Sequence, residues 1–90
     1  MRFEWDEAKA VTNFTKHGVT FEEAATVFGD PLSYTFDDPD HSVDERRFLI
    51  VGTSGRGRML VVAHADDGVV VRTISAREPP SGERKSYEEN

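Results

Sequence analysis

The chain has 90 residues, of which 31% are charged and 37% apolar, and a formal net charge of −6 at pH 7. A chain of this length predicts one small domain with a single core. The composition argues against a disordered chain, and no apolar run approaches the roughly 20 residues that a membrane-spanning helix needs. The chain has no cysteine, and its N-terminus lacks the apolar segment of a signal peptide. These features predict a cytoplasmic protein without disulfides or thiolate metal sites.

Charge is distributed unevenly along the chain. Residues 1–45 contain three basic and eleven acidic side chains, whereas residues 46–77 contain six arginines and two aspartates. The net acidity argues against nucleic-acid binding over the whole surface. The basic segment is nevertheless suited to an anion, and the acidic remainder is suited to a basic partner.

Two short helices are predicted near the N-terminus. Asp6 and Thr20 are suitable N-caps, and Gly18 is a suitable residue to end the first helix. The predicted helices cover residues 6–17 and 20–29. The residues before the first helix are expected to form a short extended lead-in segment.

The rest of the chain predicts four strands, which cover residues 32–36, 47–53, 58–65 and 69–76. Apolar and polar residues alternate in the first of them, which is typical of a half-buried strand. Glycine-containing turns separate the last three strands, so that these strands are expected to form an antiparallel meander. A short C-terminal helix is predicted over residues 81–88, after two prolines. The pattern alone therefore predicts an α+β domain with a basic strand region.

Arginines and histidines are the first candidates for chemistry. Arg72 and Arg77 lie on the last predicted strand, where regular alternation would place them on opposite faces. Each needs an anionic partner, and a structural ion pair is as good an explanation as a bound phosphate. His17, His41 and His64 are candidate general acids or bases. Their alternatives are a helix C-terminal cation, a solvated loop residue and an ordinary sheet residue, respectively.

The acidic loop between the first two strands is a possible metal site. Its spacing does not match an EF-hand, and the glycine that an EF-hand turn requires is missing. A solvated loop is therefore the favoured interpretation, and a metal-dependent nuclease remains a weaker alternative. The oxygen donors of this loop are Asp37, Asp38, Asp40, Asp44 and Glu45.

Several motifs together resemble the BrnT toxin family of bacterial type II toxin–antitoxin systems. The resemblance covers nearly the whole chain, in order and at the spacing of the family. The motifs are Phe3-Glu-Trp-Asp6, Asn13, Lys16-His-Gly-Val19, Phe21-Glu-Glu-Ala24, Val27-Phe28, Asp30-Pro31, His41-Ser42, Glu45, Arg47, Gly52, Ser54, Arg72 and Ile74-Ser-Ala-Arg77.

The resemblance implies a RelE-like α+β fold, with two N-terminal helices packed on a four-stranded antiparallel sheet and a short C-terminal helix. It implies a metal-independent endoribonuclease without a cofactor, which cleaves RNA and arrests growth. The implied partner is a BrnA-like ribbon-helix-helix antitoxin in a hetero-oligomer, with operator DNA contacted only through the antitoxin and no membrane. An alternative is a catalytically weak toxin homologue that acts mainly as a protein-binding co-repressor.

The resemblance also suggests roles for individual residues. Phosphate clamping is expected from Arg72 and Arg77, with Arg47 as a third cation. General acid and base candidates are Glu45, His17 and His41, and the supporting groups are Lys16 and Tyr87. Arg56 and Arg58 fall in a predicted turn and are expected to be solvated.

Overall fold

The computed structural model of the protein describes residues 2–38 and 45–80. Its elements in chain order are β1 (Arg2–Glu4), α1 (Glu7–His17), α2 (Phe21–Thr26), a 3₁₀ turn (Val27–Gly29), β2 (Tyr34–Asp37), β3 (Arg47–Thr53), β4 (Met59–Asp66) and β5 (Val70–Arg77). The predicted C-terminal helix over residues 81–88 lies outside the described residues. No helix in the described part of the chain is long and apolar enough to span a membrane.

The sheet has five strands in the order β1-β5-β4-β3-β2, and it is mixed. Strand β1 pairs in parallel with β5, whereas the other neighbouring pairs are antiparallel. The α+β class is confirmed, but the predicted four-stranded antiparallel sheet is wrong. The lead-in segment becomes a fifth strand because the β4–β5 hairpin leaves one edge of β5 with unpaired backbone groups, to which the N-terminus adds.

Side-chain caps fix the start of both helices. The Asp6 carboxylate accepts hydrogen bonds from the backbone N–H groups of Ala8 and Lys9 at 2.8 and 3.2 Å. The Thr20 hydroxyl accepts a bond from the backbone N–H of Glu23 at 3.0 Å. Gly18 ends α1 with a φ of 70°, which a residue with a side chain rarely adopts.

The core lies between the helices and one face of the sheet. Its largest fully buried helical and loop side chains are those of Val19, Phe21 and Val27, and they pack against strand residues that include Ile50, Leu60, Val62 and Ala76. This face also buries His64, whose ring stacks on Phe48 with a centroid distance of 5.7 Å. Burial lowers the pKa of His64, so we treat His64 as a neutral core residue.

Asn13 fastens α1 to the free edge of β5. Its amide nitrogen donates to the backbone oxygens of Ala76 and Val19 at 2.9 and 3.0 Å, and its amide oxygen accepts from the backbone N–H of Ala76 at 3.0 Å. The side chain is buried. The Asn13 side chain thus makes the backbone hydrogen bonds at Ala76 that a neighbouring strand would otherwise make, because β1 pairs only with Val70–Arg72.

An ion pair between buried Glu23 and half-buried Arg58 joins α2 to the turn between β3 and β4. The Arg58 guanidinium donates to both carboxylate oxygens of Glu23, with nitrogen–oxygen distances of 2.7 and 2.6 Å. Ser54 donates a further bond to this carboxylate at 2.7 Å, and Arg58 also donates to the backbone oxygen of Gly18. These bonds lower the pKa of Glu23 to about 2, with the Arg58 bond as the largest cause. The expectation that Arg58 is solvated is therefore wrong, because folding brings a buried carboxylate to the turn.

Candidate active site

A β-bulge in β5 places Arg72 and Arg77 on the same face of the sheet. Arg72 lies opposite Ala65 and Arg77 opposite Val61, and these two β4 residues point to one side. The register shifts next to Ala63, so that Ile74 is the extra residue on β5. The expectation of opposite faces is wrong because the strand is not regular. We call this side, opposite the helices, the arginine face.

Arg47, Ala65 and Arg72 lie side by side across three neighbouring strands of the arginine face. With about 4.8 Å between strands, the two arginine Cα atoms are roughly 10 Å apart. The small side chain of Ala65 leaves room between the two arginine side chains, and the Glu45 carboxylate contacts both of them. Two forked cations on either side of such a gap can hold a phosphate through its oxygens.

The Glu45 carboxylate bridges the two arginines. One of its carboxylate oxygens pairs with the Arg47 Nε at 3.3 Å and also with the Arg72 guanidinium. The side chains are 39% exposed in Glu45, 30% in Arg47 and 46% in Arg72, so that solvent and solutes reach all three. Glu45 therefore competes with an incoming anion for the same donors, and such an anion would release the carboxylate.

This cluster borders an open recess of about 370 Å³ at one end of the sheet. The recess is lined by Glu4, Glu45, Arg46, Ala65, Asp66, Asp67, Val70 and Arg72. Neither Arg47 nor Arg77 lines the recess; Arg47 contacts its Glu45, whereas Arg77 lies farther along β5 in the row of Val61 and Val51. Three of the predicted site residues, Glu45, Arg47 and Arg72, are thus in direct contact, and Arg77 shares only their face.

Lys16 and His17 lie in another place, at the exposed end of α1. Both line a second open recess, of about 460 Å³, which α1 forms with Ile74 and Ser75 of β5. The two recesses have no lining residue in common. The structure therefore does not bring these two predicted residues to the Arg47–Arg72 pair.

The other two predicted site residues, His41 and Tyr87, lie outside the described residues. Two carboxylates of the possible metal loop, Asp40 and Asp44, also lie outside them. Within residues 2–38 and 45–80, no group of three or more acidic or histidine side chains is placed to hold a metal ion.

Three residues that sequence reasoning missed belong to this face. Ala65 lies on β4 between Arg47 and Arg72, and only the pairing register of the strands shows this position. Tyr34 and Phe36 lie on β2, whose four residues are all exposed. The prediction of a half-buried strand is therefore wrong, because β2 is an edge strand with its aromatic side chains on the arginine face. The alternating pattern signalled which residues share a face but not that the face is exposed.

Comparison with known proteins relates this chain to one family. A family model described as "Ribonuclease toxin, BrnT, of type II toxin-antitoxin system" matches residues 5–83. The crystal structure of the Brucella abortus ribonuclease toxin BrnT has the same fold, with a TM-score of 0.70 and 24% sequence identity over 90% of this chain and 99% of that chain. None of the curated proteins compared with the chain gives a significant match. Since the family model covers most of its length, the chain belongs to the BrnT family of ribonuclease toxins of type II toxin–antitoxin systems.

Proposed function

We propose that this protein is a metal-independent endoribonuclease whose activity arrests growth and is neutralised by a BrnA-like ribbon-helix-helix antitoxin. Family membership supports a ribonuclease and an antitoxin partner. The observation that carries the proposal is the placement of Arg47 and Arg72 on either side of Ala65, with both guanidinium groups joined to Glu45. The three charged side chains are accessible to solvent, and none of them belongs to the hydrophobic core.

In the proposed reaction the scissile phosphate displaces Glu45 and lies between Arg47 and Arg72. The RNA 2′-hydroxyl gives its proton to the released Glu45 carboxylate, and its oxygen forms a bond to phosphorus. The bond from phosphorus to the 5′ oxygen then breaks, and a general acid protonates that oxygen. Of the two sequence-based candidates for this acid we retain His41, because His17 lies at the other recess, away from the Arg47–Arg72 pair. The products are a 2′,3′-cyclic phosphate and a 5′-hydroxyl.

The arginines would act mainly on the transition state. Negative charge accumulates on the phosphate oxygens as the pentacoordinate phosphorus forms, and preorganised donors stabilise that charge without reorganisation. Loss of one such donor costs about 100-fold or more in rate. A further contribution is expected from Arg77 if the RNA continues along the arginine face.

The test is incubation of the purified protein with single-stranded RNA in the presence of EDTA. We expect cleavage to fragments with 2′,3′-cyclic ends, and a loss of about 100-fold in rate for Arg72→Ala and for Arg47→Ala. Arg56→Ala is the matched control, because Arg56 is an exposed arginine in the β3–β4 turn. Intact RNA with the wild-type protein would contradict the enzyme proposal and favour the catalytically weak co-repressor.

Neutralisation has a separate test. We expect a ribbon-helix-helix protein encoded beside the toxin gene to copurify with this chain and to abolish its RNA cleavage. Operator binding by the purified complex but not by the toxin alone would support contact with DNA only through the antitoxin. Undiminished cleavage in the complex would contradict neutralisation.

A further inference from the structure

Two exposed aromatic side chains extend the arginine face onto edge strand β2. Tyr34 is 71% exposed and Phe36 is 37% exposed. Tyr34 lies opposite Val51 and Phe36 opposite Leu49, and these β3 residues share a face with Arg47. Exposed aromatic rings beside cations often mark a binding surface, because water solvates their faces poorly.

The rings lie at a suitable spacing from the arginine cluster. Phe36 is the diagonal cross-strand neighbour of Arg47, so that their Cα atoms are about 7–8 Å apart. Tyr34 follows two residues away on the same strand, roughly 7 Å from Phe36. A chain that places a phosphate between Arg47 and Arg72 can therefore extend its neighbouring groups over both rings.

The paired arginines of this face, and not its net charge, suit an anionic partner. The strands place four arginines and one glutamate on this face, namely Arg2, Arg47, Arg72, Arg77 and Glu4. Glu45 contacts two of these arginines, and Asp38 follows β2 beside Arg47. The protein as a whole has a net charge of −6. The four arginines exceed these three carboxylates by one charge, and Asp66 and Asp67 also line the recess beside Arg72. The groups that suit a phosphate are the Arg47 and Arg72 guanidinium groups themselves, which lie one strand away from the exposed rings or farther.

We infer that Tyr34 and Phe36 stack on two bases of a single-stranded RNA whose phosphate lies between Arg47 and Arg72. This inference rests on the proposed ribonuclease function and deepens it. Aromatic side chains on an exposed sheet bind unpaired bases because each base presents a π-face, and the contact tolerates any sequence. The rings would hold the RNA by its bases while the arginines hold its backbone.

Binding to a single-stranded 2′-O-methyl RNA, measured by fluorescence anisotropy, tests the inference. This oligonucleotide lacks the free 2′-hydroxyl and is not cleaved by the proposed reaction. We expect Tyr34→Ala and Phe36→Ala each to weaken binding about 5- to 100-fold. Tyr34→Phe should retain the affinity, because stacking needs the ring and not the hydroxyl.

Leu32→Ala is the matched control, since Leu32 is 86% exposed and apolar, lies just before β2 and has no aromatic ring. Unchanged affinity in both alanine variants would overturn the inference and assign the patch to protein docking, even if the wild type cleaves RNA. Ring-dependent binding without cleavage by the wild type would sustain the inference and overturn the nuclease proposal. No binding by the wild type would overturn the inference. Thermal melts verify that every variant is folded.

Discussion

Arg72 and Arg77 project from the same face of the sheet, although an odd number of positions separates them. A regular strand would place them on opposite faces. The extra residue at Ile74 reverses the alternation between them, and it also returns Ala76 to the core. The bulge thus affects both faces of the sheet. It places Arg72 and Arg77 together on the arginine face, and it allows Ala76 to pack in the hydrophobic core on the other face.

Replacement of Arg77 by alanine should weaken RNA processing less than replacement of Arg72. Arg77 lies on the arginine face, but it is outside the recess beside Arg72 and in a different cross-strand row from Arg47 and Arg72, so we expect it to hold RNA at a distance from the scissile phosphate. A change about tenfold in KM with a smaller change in kcat is expected, measured in steady state on single-stranded RNA. An effect as large as that of Arg72→Ala, and confined to kcat, would contradict this role.

Replacement of Ala65 by leucine should block the gap between Arg47 and Arg72. The added side chain would occupy the position proposed for the phosphate, and misplacement of a substrate by about 1 Å can cost roughly 100-fold in rate. The cleavage assay with EDTA measures the loss. Ala65→Ser is the matched control, because it adds one atom and leaves the gap open. Full activity of the leucine variant would argue that the phosphate binds elsewhere.

Replacement of Arg58 by methionine should destabilise the fold. The change retains much of the aliphatic length and leaves the Glu23 carboxylate buried without its cation, which costs about 3 kcal/mol or more in the free energy of unfolding. Urea unfolding followed by circular dichroism measures it. Arg56→Met should change stability by less than about 0.5 kcal/mol, since Arg56 is exposed. Equal stability of the two variants would show that the Glu23–Arg58 pair is dispensable.

Acid should remove the stabilisation that comes from Glu23. Its pKa is about 2 in the folded protein against an ordinary value of 4.5. The carboxylate therefore binds protons more readily in the unfolded chain, and its contribution is fully present above about pH 4.5 and disappears as the pH falls towards 2. This contribution amounts to about 3 kcal/mol. Urea unfolding at several pH values should show that Glu23→Gln lacks this part of the acid dependence, and an identical pH profile would contradict it.

Replacement of Asn13 by alanine should detach α1 from β5. It removes three hydrogen bonds and leaves buried backbone groups of Ala76 and Val19 without those partners, at a cost of about 3 kcal/mol. Thr12→Ala is a suitable control because the Thr12 hydroxyl bonds only to the exposed backbone of its own helix. Thermal unfolding should separate the two variants clearly. A small shift for Asn13→Ala would mean that water replaces the amide.

The residues that resemble the family separate into two groups once the contacts are known. Asn13 and Ser54 make buried hydrogen bonds that join elements of the fold. Gly52 is also structural, because a Cβ atom there would lie 2.9 Å from the Cβ of Ser33. Glu45 and Arg72 differ from these residues, since their contacts lie at a solvent-accessible recess. This contrast makes the arginine cluster the best candidate for chemistry among the described residues.

Sequence by itself determined the local features of this protein. Helix caps at Asp6 and Thr20 predicted where the helices begin, because capping depends on a few neighbouring residues. Strand periodicity and turn glycines similarly predicted the β3–β5 meander, and the combined motifs indicated the toxin family.

Tertiary structure alone decided which distant residues meet. Strand β1 pairs with β5, Glu23 contacts Arg58, and Glu45 contacts Arg72 as well as its near neighbour Arg47. Apart from the Glu45–Arg47 contact, each of these joins parts of the chain that are far apart in sequence. The bulge at Ile74 has the same origin, because one extra residue reverses the facing of every residue after it and is visible only in the pairing with β4.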